Sequence, residues 1–165
     1  MSYRNRGGFD CGDPDLNEYF VQDAAVAREQ LLAETYELVV SGSETQGPLA
    51  LVSICNDAIE LKKIKDRLDD FPDGKGYRHW PAVKIARLGT RSKYQSSGVG
   101  AQVMNMLKRL FVSENRTGCR IMTVDAYNNP RTVKFYEKND FAFLTPRDQN
   151  KSTRAMYFDL KRLDL

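Results

Sequence analysis

Apolar and polar positions recur along this chain in patterns that mark out its elements before any chemistry is considered. Leu16, Tyr19, Phe20 and Ala24 follow helical spacing behind Asp13-Pro14, an N-cap with proline at the first helical position. Residues 34–41 and 49–55 are apolar-rich runs around the turn-rich stretch 42–48, which predicts an antiparallel hairpin. Residues 57–70 are mostly polar, with Ile59, Ile64 and Leu68 as a thin apolar stripe, and predict a polar helix. Residues 71–76 read as a loop. The order continues as strand 83–89, helix 98–114, strand 120–126, helix 130–139 and closing strands 141–144 and 154–160. Strand–helix–strand makes the two middle strands parallel with a right-handed crossover, while the flanking hairpins are antiparallel. The expectation is a single α/β domain over residues 1–165, built on a mixed twisted sheet with a central parallel strand pair.

A chain of 165 residues has room for one real core. Its 41% hydrophobic and 28% charged residues are ordinary for a soluble globular protein, so composition excludes disordered and fibrous classes. No apolar run approaches the ~20 residues that span a bilayer, and the first residues lack a signal-peptide core. A cytoplasmic protein with no membrane partner is expected. Cys11, Cys55 and Cys119 lack metal-type spacing, and an odd count suits free thiols. With His79 as the single histidine, no metal centre is expected. The net charge of +3 is compatible with an anionic cofactor or RNA and too small to choose between them.

Chemistry concentrates in Gln95-Ser96-Ser97-Gly98-Val99-Gly100, which follows a strand and opens a helix. Glycines at a helix start expose backbone N–H groups, and the helix dipole adds positive charge there, so the loop suits a phosphate or pyrophosphate. A structural turn is the plain alternative. A dinucleotide fingerprint fails, because its third glycine position holds Val103 and the loop stands clear of its strand, with residues 90–94 between.

Gln95, Gly98 and Gly100 match the fixed positions of the phosphate loop Arg/Gln-x-x-Gly-x-Gly/Ala, and a second block matches downstream. Asn129, Thr132, Phe135, Tyr136, Glu137 and Phe141 fall in register with Asn-x-x-Ala-x-x-Leu/Phe-Tyr-Glu-x-x-Gly-Phe, with Thr132 replacing the alanine and Asp140 the glycine. The two blocks together resemble the acetyl-CoA-binding core of the GNAT N-acetyltransferases. The resemblance implies acetyl-CoA as acetyl donor, no metal, and a sheet splayed at the acetyl-CoA site between strands ending near Leu88 and Ala126. It further implies that Gln95, Ser96, Ser97, Gly98, Val99, Gly100 and Ala101 hold the pyrophosphate. Backbone groups at Leu88, Gly89 and Thr90 would pair with pantetheine, and Phe135 would line the cofactor. Asn129 would bond the pantetheine or cap the following helix. Tyr136, otherwise an ordinary helix core residue, stands where the family places its general acid, a phenol able to protonate the departing thiolate. Asp125, Glu137 and His79 are all conceivable bases, and no pattern selects one.

Phe9-Asp10-Cys11-Gly12 with Leu16-Asn17 is similar to the opening of the toxin-type GNAT branch, and Ala86-Arg87-Leu88-Gly89-Thr90 and Val124-Asp125-Ala126 resemble its other stretches. That branch includes toxins that acetylate the α-amino group of aminoacyl-tRNA. The resemblance thus implies an amine acceptor in charged tRNA, while small-molecule and peptide amines, or a non-catalytic CoA-binding role, stay open. An antitoxin or a homodimer is compatible and cannot be read from the chain. Lys62, Lys63, Lys65 and Arg67, or Arg131, Lys134 and Lys138 on one helical face, could offer RNA a basic surface or form a solvated face.

Overall fold

The structure, a computed structural model, describes residues 8–42, 47–60, 62, 64–68, 78–113, 115 and 117–163. A six-stranded mixed sheet has the order β1-β2-β3-β4-β6-β5, formed by β1 (Glu34–Leu38), β2 (Ala50–Glu60), β3 (His79–Thr90), β4 (Ile121–Tyr127), β5 (Ala142–Phe143) and β6 (Thr153–Asp159). β3 and β4 form the parallel pair expected of the strand–helix–strand order. The pairs β1–β2, β4–β6 and β5–β6 are antiparallel. The helices are α1 (Pro14–Glu18), α2 (Ala24–Glu29), α3 (Val99–Ser113) and α4 (Pro130–Lys138). The chain divides into two compact units, Met1–Cys55 with Ile85–Leu107, and Asn56–Lys84 with Lys108–Leu165.

In the first unit, Asp13 caps α1 as its sequence predicts, its carboxylate accepting from Leu16 N at 3.2 Å. One π turn, Tyr19–Asp23, joins α1 to α2 and brings Phe20 and Ala24 into the interior. Phe20 packs with Phe9, Cys11 and Leu51, and its ring meets Phe9 edge-on with centroids 5.7 Å apart. Gly89 lies against this cluster. A Cβ there would stand 3.0 Å from the Phe20 ring and 3.3 Å from Cys11 Sγ. Close packing of the N-terminal segment therefore favours glycine at this position, since a Cβ would have to push these side chains aside by a few tenths of an ångström.

In the second unit, Ile59, Ile64, Leu68, Ala82, Ile121 and Tyr157 form one apolar cluster. The β4–β6 ladder runs from Ile121↔Asp159 to Tyr127↔Thr153. At its end Arg120 grips Asp159 through two bonds, of 2.9 and 2.7 Å. Such a planar bidentate pair is geometrically selective, and removing one partner leaves a poorly hydrated charge.

One element differs from expectation. Residues 57–70 are not a helix: β2 continues through Glu60, and the described remainder contains a short 3₁₀ turn, Lys65–Arg67. The three stripe residues are all buried in the same cluster, as a helical reading would have them. Their spacings of five and four residues mimic a helix, but Ile59 arrives on a strand and the other two on the turn segment after it. Pairing within the sheet outweighs a weak helical period. The expected loop at 71–76 lies outside the described residues.

Candidate active site

The glycine loop is built by sequence-local geometry. After β3, a 3₁₀ turn at Ser92–Tyr94 leads into residues 95–98, where Ser96 and Gly98 take left-handed conformations at φ 62° and 89°. Ser97 Oγ donates to Tyr94 O at 2.6 Å and holds that turn. Buried Val99 then anchors the start of α3. The bond from Gln102 N to Gly98 O, at 3.0 Å, begins the helical ladder, so the N–H groups of Val99, Gly100 and Ala101 precede any intrahelical acceptor. The result is a 15-residue helix whose first N–H groups are open to an acceptor, the arrangement that suits an anion.

Gln95 acts differently from its neighbours. Its side-chain amide donates to Cys11 O at 2.6 Å and to Thr90 O at 3.1 Å. Ser92 completes the attachment, its N and Oγ both donating to Asp10 O, at 2.8 and 3.1 Å. Asp10 and Cys11 are fixed in turn by Asn17. Its Nδ2 donates to Asp10 Oδ1 at 2.8 Å, and its Oδ1 accepts from Cys11 N at 2.9 Å. The Gly12 N–H, then Asn17, hold the Asp10 carboxyl below its usual pKa, while burial pushes the Cys11 thiol up. Asp10, Cys11 and Asn17 therefore form a buttress behind the glycine loop. The fixed spacing of their motif is legible in the sequence, whereas this task is not. Leu88 and Thr90 are half-buried at the end of β3.

In the second unit, Asn129 caps α4 through a 2.9 Å bond from Thr132 N, which is one of the two roles its position allows. Phe135 is half-buried, and its ring centroid lies 5.0 Å from that of Tyr136. Tyr136 is buried, with its ring also against Phe141 at 5.4 Å. Its hydroxyl has no hydrogen-bond partner among the described residues, and burial raises its pKa well above the usual tyrosine range. The side chain is thus kept as a protonated phenol with a free donor.

A cleft of about 290 Å³ lies on the sheet of the same unit, with Asp57, Glu60, His79 and Asp125 among its walls and Ile59 and Met156 as apolar lining. Thr123 Oγ1 donates to Asp57 Oδ2, and Lys84 Nζ pairs with Asp125 Oδ2, both at 2.5 Å. Two of the three base candidates, His79 and Asp125, line this cleft, while Glu137 is exposed on α4. Of the basic groups, Arg131, Lys134 and Lys138 are all exposed on α4. Lys62 pairs with Glu60 at 3.5 Å, and Arg67 Nη1 donates to Phe143 O at 2.8 Å; Lys63 and the Lys65 side chain lie outside what is described. Among the described residues no group of three or more His, Cys, Asp or Glu is placed to hold a metal ion, and no helix is long and apolar enough to cross a membrane.

Residues 71–141 match the model of the acetyltransferase (GNAT) family, a span that takes in the glycine loop, α3, β4 and Tyr136. Over that span the chain is similar to the GNAT acetyltransferases. The match and the fold together indicate an N-acetyltransferase. Among solved structures, AtaT complexed with acetyl-methionyl-tRNAfMet superposes with a TM-score of 0.76 at 21% identity, covering 93% of this chain and 86% of that one. A tyrosine-to-phenylalanine variant of KacT does so with a TM-score of 0.73 at 19% identity, covering 94% and 87%. A similar variant of AtaT, bound to acetyl-CoA and the C-terminus of the antitoxin AtaR, gives 0.70 at 20% identity, covering 98% and 88%. At such identities these likenesses establish the GNAT fold.

Proposed function

We propose that this GNAT enzyme transfers acetyl from acetyl-CoA to the α-amino group of a charged tRNA, by direct attack and without a covalent enzyme intermediate. The observation that carries the acceptor is the Asp10-Cys11-Asn17 buttress, the structural form of the motif that resembles the toxin-type branch. AtaT, in complex with acetyl-methionyl-tRNAfMet, supports the same reading. The exposed cations of α4 supply a local basic face where the net charge is only +3.

Each role follows from chemistry already described. Backbone N–H groups at the start of α3, with the loop from Gln95 to Gly100, hold the pyrophosphate, and the backbone of Leu88, Gly89 and Thr90 pairs with pantetheine. Gln95 serves the loop by fastening it, so its side chain is a positioning group. The neutral amine attacks the thioester carbonyl, the N–C bond forms and the C–S bond breaks. Tyr136 then gives its proton to the leaving thiolate, and the proton that the nitrogen sheds as the amide forms restores the phenol. Burial that raises the phenol's pKa makes it a weaker acid, so its donation depends on the thiolate's charge forming in the same buried setting. The cleft of Asp57, His79 and Asp125 is the side from which the ammonium of the acceptor loses its proton. An antitoxin that covers the enzyme, as AtaR binds AtaT, fits the same branch.

Transfer of labelled acetyl to charged tRNA, uncharged tRNA, small amines and peptides tests this directly. Label on charged tRNA alone, lost in Tyr136→Phe, is the expected outcome. Label on small amines or peptides instead would retain the GNAT mechanism and discard the tRNA acceptor. Binding of acetyl-CoA with no transfer to any amine would favour a regulatory CoA-binding role.

A further inference from the structure

Lys108 on α3 is a buried cation that the transfer chemistry does not use. Only 3% of the residue is exposed. Its Nζ donates to Asn139 O at 2.6 Å, lies 3.7 Å from the Phe158 ring centroid, and is 3.9 Å from Asp140 Oδ2. Burial lowers its pKa; Asp140 pulls it back up and Arg162 pushes it down. Lysines are rarely buried this completely, and one that is must be answered by good hydrogen-bonding and electrostatic partners.

Those partners are the C-terminus of α4. Asp140 is left-handed at φ 64°. Its N–H donates to Glu137 O, and the N–H of Phe141 donates to Tyr136 O, both at 3.0 Å. This is a Schellman closure, completed by the apolar contact of Phe141 with Tyr136 at 5.4 Å between ring centroids. Asn139 ties in the preceding carbonyl, its Nδ2 donating to Phe135 O at 2.8 Å. Every bond of the closure therefore ends on Tyr136 or a close neighbour. Glycine is the residue that adopts the left-handed position without strain, and this chain has an aspartate there. The ammonium of Lys108 sits where it can answer both the open Asn139 carbonyl and the added carboxylate.

We propose that Lys108 is a positioning residue for Tyr136: by holding Asn139 O and facing Asp140, it closes the helix end that fixes the phenol. The inference rests on Tyr136 being the acid of the proposed transfer. A small displacement of that hydroxyl from the leaving sulfur would cost rate and leave the binding of acetyl-CoA intact.

The test compares wild type, Lys108→Met, Asp140→Gly and the double variant, with Tyr136→Phe as control. Turnover is read with charged tRNA, or with whichever amine takes the label, and the ring ¹³C signal of Tyr136 is assigned by its absence from Tyr136→Phe. Lys108→Met should lower kcat at least tenfold, leave the KM for acetyl-CoA within twofold, and move the Tyr136 signal. Adding Asp140→Gly should recover most of kcat and return the signal toward its wild-type position. An unmoved signal with kcat within twofold, a parallel loss of kcat and KM, or no recovery by glycine overturns the proposal. Should Lys108→Met fail to fold, Asp140→Gly and the double variant are compared: coincident Tyr136 signals support the proposal, and divergent ones overturn it. Full activity of Tyr136→Phe would defeat the acid assignment instead, and the signal alone would then decide the positioning.

Discussion

Gln95 donates its side-chain amide to the carbonyl of Cys11 at 2.6 Å, across 84 residues of sequence. That bond, with a second to Thr90 O at 3.1 Å, makes the N-terminal segment part of the glycine loop's foundation. Replacing Gln95 by Ala strands two carbonyls in a partly buried setting, which costs about 1–3 kcal/mol. Urea unfolding should show that loss. The KM for acetyl-CoA should rise about tenfold with kcat little changed, because the proposed role of the loop is to hold the cofactor and not to transfer a proton. An unchanged KM would detach the loop from the cofactor.

The two left-handed residues of the loop should respond in opposite ways to substitution. Gly98 sits at φ +89° with nothing within 4 Å of a Cβ, so Gly98→Ala meets open space and pays for backbone conformation alone, about 1–2 kcal/mol. Ser96 already carries a side chain at φ 62°, so Ser96→Gly should be neutral or mildly stabilising. Calorimetric Tm values for the pair check the sign of each change. A destabilised Ser96→Gly would mean that the serine side chain contributes more than its strain costs.

Tyr136→Phe should fold as well as wild type, since the hydroxyl has no partner to lose among the described residues, while kcat falls by a factor of about 10² or more. A pH signature accompanies this. Burial raises the phenol above its ordinary value of 10.0, so the unfolded chain ionises first as pH rises. Beyond about pH 10 the unfolded state binds fewer protons than the folded one, and stability falls with pH; below that the group contributes no dependence. Wild type should therefore lose more stability than Tyr136→Phe between pH 9 and 11, read by urea unfolding.

Asn129 offers a clean separation of its two roles. Asn129→Ala removes the 2.9 Å cap on Thr132 N and should cost about 1 kcal/mol, a shift of about 2–4 °C in Tm, whereas Asn129→Asp retains it. A cap alone leaves the KM for acetyl-CoA within twofold. A larger rise in KM would return the side chain to the pantetheine.

Local signals were legible because the relevant interactions are local. Asp13-Pro14 encodes a helix start through one side-chain bond and one fixed φ, and Gly98 encodes the turn before α3 through its left-handed φ. The alternation and length of the runs around β3, α3 and β4 set the strand–helix–strand order, hence the parallel pair. The misjudged stretch, 57–70, fails for the converse reason. Its polar residues and three scattered apolar ones express no strong period, so sheet pairing and the cluster with Ala82, Ile121 and Tyr157 decided its form.

By itself the sequence determined the GNAT-like blocks, the helix caps and the order of elements from β3 onward, since these depend on spacing within a few residues. Only the tertiary structure decided that Gln95 fastens its loop to Cys11, that Gly89 is small because Phe9 and Phe20 press on it, and that Lys108 answers an aspartate standing where a glycine was expected. Each of these is a contact between residues 31 to 84 positions apart, or a packing distance of a few ångströms. No periodicity records such contacts, because they exist only once the chain has closed on itself.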